Sequence, residues 1–216
     1  METTRPLDAA TRALGGRGAR GRILRAAGQL FYERGIHATG VAALVEAAHV
    51  STRTFYQQFG SKNALVEEYL RQLDADGALE SERQLNREDL SPAQRLLAIF
   101  DTLEEALRAP AVVRGCPFHN AAVEAAGQMP EVARLTEQHK QAFRDRLAAV
   151  AAEAGVADAT ALGRQLAVIY EGATSLAASC NDPRVAGDAR ATAATLLNAA
   201  LQRPDDGQGQ GPLPGG

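Results

Sequence analysis

Residues 50–62 read VSTRTFYQQFGSK. Four short hydroxyls (Ser51, Thr52, Thr54, Ser61), one guanidinium (Arg53), two amides (Gln57, Gln58) and one ammonium (Lys62) fall within a dozen positions. Hydroxyls at a helix start sit where free backbone N–H groups already favour an anion such as phosphate. Arginine can grip guanine with two parallel hydrogen bonds, and glutamine can do the same for adenine. Gln57 lies one turn beyond Arg53 on the same helix face. Tyr56 can bury its ring edge while its hydroxyl reaches a phosphate, and Lys62 can clamp another. Phe55 and Phe59, four apart, must face inward. Together these types suit the reading of a nucleic acid. A second chemical stretch is RGCPFHNAAVEAA, residues 114–126. Cys116 there reads either as a small buried hydrophobe or as a reactive thiol, since a helix N-terminus, Arg114 and His119 are all close in sequence.

Other chemistries find no support. His119 and His139 lack a paired ligand spacing such as HxxxH, so no metal is expected. No nucleophile–base pair or phosphate loop is visible, so neither an enzyme nor a cofactor is expected.

The elements that must position these residues read as all-α, with about nine helices and no convincing strand. GRILRAAGQLFYERG places Ile23, Ala27, Leu30 and Phe31 on one face, with Gly35 as its stop. A short helix over 41–48 turns Leu44, Val45 and Ala48 inward, capped by Thr39 or Gly40. Ser51 caps a third helix over 52–58, and Ser61 caps a fourth running to about residue 78. Proline near the first helical position opens helices at 92–108, 117–127 and 130–154. Two more follow over 159–179 and 184–203. Residues 1–19 read as a mobile basic arm and 204–216 as a disordered tail.

The totals agree with one soluble helical chain. It has 216 residues, and 45% of them are hydrophobic. No run of about 18 apolar residues offers a membrane span, and the N-terminus lacks a signal peptide's apolar core, so a cytoplasmic protein is expected. Cys116 and Cys180 suggest a reduced compartment. The net charge of −3 is uneven: residues 1–62 hold nine basic and four acidic side chains, the remainder fourteen and twenty-two. A basic first quarter on an acidic body places the polyanion partner at the N-terminal end.

The stretch ILRAAGQLFYERGIHATGVAALVEAAHVSTRTFYQQFGSKNALVEEYL resembles the DNA-binding domain of TetR-family transcriptional regulators, through I-L-x-A-A-x-x-L-F-x-x-x-G and V-S-x-x-T-(F/L)-Y-x-x-F-x-S-K. The resemblance implies a homodimer. Its first three helices would bind double-stranded operator DNA, and the rest would bind a small-molecule effector and dimerise. It places Thr39, Gly40, Ser51, Thr52, Arg53, Thr54, Tyr56, Gln57 and Lys62 at the DNA. Three positions depart from the family's habit: His49 where glycine is usual, Gly40 where serine or threonine is common, and Gln58 where histidine or tyrosine is frequent. The expected organisation is an arm over 1–19, a DNA-binding domain over 20–66, a ligand-binding and dimerisation domain over 67–203, and a tail.

For the body, the helices over 92–108, 117–127, 130–154 and 159–179 should enclose a pocket. Its candidate lining is Phe100, Leu103, Cys116, Phe118, His119, Asn120, Phe143 and Tyr170. Residues 115–124 resemble a GC-x-F-x-N-x-x-x-E segment seen in some of these regulators. Gly172, Ala173 and Leu176, with Leu196 and Leu197, are the candidate dimer face. The leading expectation is a repressor that binds a pseudo-palindromic operator and is released by an effector. A thiol-based sensor using Cys116, and a DNA-binding structural protein without an effector, stay open.

Overall fold

The computed structural model describes residues 18–75, 79–109, 113–180 and 182–202. The arm and the tail lie outside these residues, except that Ala19 already opens the first helix. Among the described residues the regular structure is helical throughout: α1 (Ala19–Arg34), α2 (Val41–Ala47), α3 (Thr52–Phe59), α4 (Lys62–Ala75), α5 (Glu80–Arg83), a 3₁₀ turn (Gln84–Asn86), α6 (Pro92–Arg108), α7 (Pro117–Glu124), α8 (Pro130–Glu153), α9 (Ala159–Cys180) and α10 (Arg184–Gln202). The one-turn α5 is an addition to the helices expected from sequence. Four residues are too few for an apolar period to show.

Local chemistry sets the boundaries. The Ser51 side chain accepts from the Thr54 N–H at 3.0 Å, and Ser61 accepts from the Ala64 N–H at 3.0 Å. Ser91 and Gln94 form a reciprocal capping box, with Pro92 at the first helical position. Asp158 and Asp182 accept from the N–H groups of Ala161 and Arg184.

Two apolar cores result. The first joins Ile23, Leu30 and Phe31 of α1, Leu44 of α2, Phe55 and Phe59 of α3, and Leu65 to Leu73 of α4. It also takes in Phe118, Ala121, Ala125, Met129 and Val132 of α7 and its junction with α8. The second joins α6 and α8 to α10. The boundary expected at 66/67 falls within α4, between Val66 and Glu67, and Tyr69, Leu70 and Leu73 beyond it pack into the same first core.

Helices α8 and α9 pack closely because Gly163 has no side chain. A Cβ there would stand 2.7 Å from the Ala148 backbone nitrogen and 2.9 Å from its Cα. Backbone cannot rotate aside as a side chain can. Gly163→Ala is expected to destabilise the fold by about 1–3 kcal/mol through overpacking. A urea midpoint that falls at unchanged m-value is the check, and an unchanged midpoint would refute the close-packing argument.

Candidate nucleic-acid interface and adjoining cavity

The reading surface starts from α3. Phe55 and Phe59 point inward, and the opposite face leaves Ser51, Thr52, Arg53, Tyr56 and Gln57 exposed, with Thr54 half-buried. The Tyr56 ring packs edge-on against Phe55, which fixes its direction. Arg53 has no ion-pair partner among the described residues. The Ser51 hydroxyl is engaged with Thr54, as helix cap and through the Thr54 hydroxyl.

Two arginines of α1 brace this surface. Arg22 Nε donates to the Ala48 carbonyl at the end of α2 (3.0 Å), and Arg20 Nη1 donates to Gln58 O near the end of α3 (2.9 Å). Cations there also complement the negative ends of both helix dipoles. Arg20 further pairs with Glu68 and lies over the Phe59 ring.

Thr39 is corrected. Its side chain is 1% exposed, and its hydroxyl donates toward the Gly35 carbonyl (2.7 Å) and the Leu30 carbonyl (3.3 Å). It ties the α1–α2 loop and offers nothing to a phosphate. Gly40, exposed, is the N-cap of α2. Lys62 is half-buried at the start of α4. Burial holds its ammonium below the ordinary value, and the Glu124 carboxylate acts against that shift.

His49 has φ 51°, the left-handed region, and is the one non-glycine residue in it among the described residues. The turn between α2 and α3 requires that conformation. The strain costs about 1–2 kcal/mol, partly offset in a His49→Gly variant by glycine's greater chain entropy. His49→Gly is expected to raise the melting midpoint, by up to about 1 kcal/mol equivalent, and His49→Val to lower it. The reverse order would refute strain at this turn.

Beside the first core lies a cavity of about 90 Å³. Of the expected lining residues, Leu103, Cys116 and Tyr170 are on its wall. The others are corrected. Phe100 and Phe143 are buried in the second core and pack on the Tyr170 ring; Phe118 is buried in the first core and stacks on His139. His119 is exposed, and the Asn120 side chain donates to the Arg114 carbonyl. Sequence reasoning missed Tyr32, Glu82, Lys140, Glu171 and Thr174 on the wall. Lys140 and Glu171 carried a signal: each interrupts the inward stripe of its own helix with a charge. They pair with each other, and Lys140 Nζ also lies 3.2 Å from the Cys116 sulfur. Tyr32 belongs to α1, and its hydroxyl accepts from the Arg114 N–H at 3.0 Å.

Behind the cavity, His139 is 4% exposed. Its ring nitrogens meet Asp74 of α4 (2.9 Å) and Glu82 of α5 (3.1 Å), and Arg146 also binds Glu82. Burial pulls the imidazole pKa down. Hydrogen bonds to Cys116, Glu82 and Asp74, together with the Glu82 charge, outweigh this and push it up to about 10.

At the expected dimer face, Ala173 and Leu197 are corrected. Both are buried in the second core, because they share the inward stripes of α9 and α10 with Leu166, Ala177 and Ala193. Leu196 is half-buried against that core. Gly172 and Leu176 are exposed, and with Val168 they recur every four residues along one face of α9; Val168 is 73% and Leu176 54% exposed.

Residues 23–69 match the sequence model described as bacterial regulatory proteins, tetR family, and residues 92–193 match the tetracyclin repressor-like C-terminal domain. The crystal structure of a tetR-transcriptional regulator (sav143) from Streptomyces avermitilis is 32% identical, covers 85% of this chain and 98% of its own, and superposes with a TM-score of 0.74. The chain belongs to the TetR family. As a TetR-family protein it is a helix-turn-helix DNA-binding transcriptional regulator, not an enzyme. SCO4454, a TetR-family regulator from Streptomyces coelicolor, is 27% identical over 85% of this chain and 96% of its own, with a TM-score of 0.73. Two curated HTH-type relatives match over shorter spans. The transcriptional activator FasR of Mycolicibacterium smegmatis is 37% identical over 39% of this chain, and the repressor KstR2 of Mycobacterium tuberculosis 32% over 41%. The chain spans 40% and 44% of those two proteins' lengths. Among the described residues no helix of this TetR-family chain is long and apolar enough to cross a membrane.

Proposed function

We propose that this chain is a cytoplasmic repressor. It binds a pseudo-palindromic operator as a homodimer and is released when a small-molecule effector occupies the cavity. One observation carries the reading: Tyr32 on the cavity wall belongs to α1, the helix whose Arg20 and Arg22 brace α3 and α2. A ligand that favours one placement of Tyr32 biases the placement of the reading helix, and only such differential contact can shift an equilibrium. Arg53 and Gln57 read bases; Thr52, Tyr56 and Lys62 position phosphates. The apolar face of α9 formed by Val168, Gly172 and Leu176 supports self-association across a two-fold axis.

The test is selection of bound sequences from a random DNA library by the full chain, at stated salt. The expected result is an inverted repeat with half-site centres one helical turn, or a multiple of it, apart. Salt-sensitive binding without a motif would overturn the reading in favour of a DNA-binding structural protein. Placing the selected site across a reporter promoter separates repression from activation.

A further inference from the structure

We propose that Cys116 is a covalent capture site for small α,β-unsaturated carbonyl compounds, with Lys140 beside it as proton donor to the adduct. The inference deepens the effector reading above by naming the effector's chemical class, and its regulatory part rests on that reading.

The geometry is that of a built site. Cys116 and Lys140 share the cavity wall with sulfur and ammonium 3.2 Å apart, and Glu171, also on the wall, holds the ammonium in place. Cys116 is the N-cap of α7, at the positive end of that helix's dipole. Burial pushes the thiol up. The hydrogen bond to His139 and the Lys140 charge overcome this, Glu171 opposes them, and the His119 N–H adds to them, so the thiol lies below its ordinary value. A second, independent feature is an unmet polar group near the site. The Tyr69 hydroxyl, on a residue 2% exposed, has no hydrogen-bond partner, yet lies within electrostatic reach of Tyr32 and Cys116. A buried donor left unmet costs about 1–3 kcal/mol.

Size and polarity narrow the ligand. A cavity of about 90 Å³ is smaller than the roughly 150 Å³ that holds benzene. Leu79, Leu103, Ala106 and Val113 make much of the remaining wall apolar. A short enal fits within it. In the reaction the thiol gives its proton to water, and the thiolate lone pair forms a C–S bond to the β-carbon. The C=C π pair moves to the α-carbon and carbonyl oxygen as an enolate. Lys140 protonates the α-carbon and regains its proton from water. The thiol S–H has then added across the double bond with no oxidant or reductant. The adduct separates Cys116 from Lys140 and crowds Tyr32, the α1 residue on the same wall.

The experiment treats the full chain with equimolar acrolein and maps adducts by peptide mass. Cys180, exposed at the end of α9 and away from the cavity, is the internal reference. At pH 7 Cys116 is expected to react at least about tenfold faster than Cys180. Lys140→Met should cut the Cys116 rate about tenfold at pH 7, and the deficit should shrink toward pH 9; Lys140→Arg, which keeps the charge but does not give up a proton, should recover only part of the rate. A pH-independent deficit, or a Cys116 rate no greater than that of Cys180, overturns the capture site. For regulation, each protein's operator affinity is compared before and after treatment. Treated C180S should lose at least about tenfold, and treated C116S/C180S should not change. An adduct at Cys116 that leaves DNA affinity intact overturns the regulatory role. Labelling needs no DNA, so failure to find an operator leaves the capture result separately readable.

Discussion

An Arg53→Ala variant is expected to lose about 1–3 kcal/mol of operator affinity per subunit and to accept any base at one position of each half-site. Arg53 is exposed on α3, above a floor of Phe55 and Phe59 that prevents the helix from sinking. Its guanidinium has no ion pair to give up among the described residues, so the whole hydrogen-bonding fork is available to a guanine edge. Lys62→Ala should behave differently. It removes a phosphate contact, so affinity should fall for all sequences alike and the salt slope should drop by about one per subunit. The two signatures are separated by repeating the selection, and a salt titration, with each variant. An Arg53→Ala protein that selects the unaltered motif would show that α3 is not the reading helix.

A His139→Gln variant is expected to lose about 2–3 kcal/mol of folding stability at neutral pH, because Glu82 is left buried with Arg146 as its remaining cationic partner. The charged groups facing His139 are Asp74 from α4, Glu82 from α5 and Cys116 from the start of α7. The native imidazole's pKa is raised to about 10 from 6.5. A raised folded-state pKa contributes stability that is fully present below the unfolded value and lost as pH rises through the folded one. The wild-type advantage over His139→Gln should therefore be full below pH ~6.5 and shrink as pH approaches about 10. Comparing urea midpoints in a C116S background removes the thiol's own titration from the difference. A gap that stays constant from pH 6 to 10 would mean that His139 is held neutral.

Caps and breakers account for the helix boundaries that sequence reading found. Ser51, Ser61, Ser91, Pro92, Pro117 and Pro130 each stand where a helix begins, and Gly35, Gly60 and Gly155 follow helix ends with positive φ. The α3 surface was readable for the same reason, since its inward pair and outward polar set follow from spacing alone. The cavity was not. Phe100, Phe118 and Phe143 look like pocket residues in a list and are core residues in space, because an apolar stripe does not reveal whether packing against it is complete. Ala173 and Leu197 failed similarly: small or apolar character permits a helix contact but does not say with which partner. The half-buried charges Lys140 and Glu171 were the better signal, because an apolar stripe excludes a charge unless something pairs with it.

The first core has a consequence for recombining such regulators. It is completed by Phe118, Ala121, Ala125, Met129 and Val132, which lie more than forty residues downstream of the last α4 residue in it, Leu73. A chimera that grafts residues 1–75 onto a foreign effector body would bring the reading helix without the lid of its own core. Phe31, Tyr69 and Leu73 would meet unmatched side chains. The portable module is discontinuous, the N-terminal segment together with the span from Cys116 to Val132, and new specificities are more economically obtained by rewriting α3 in place than by exchanging heads.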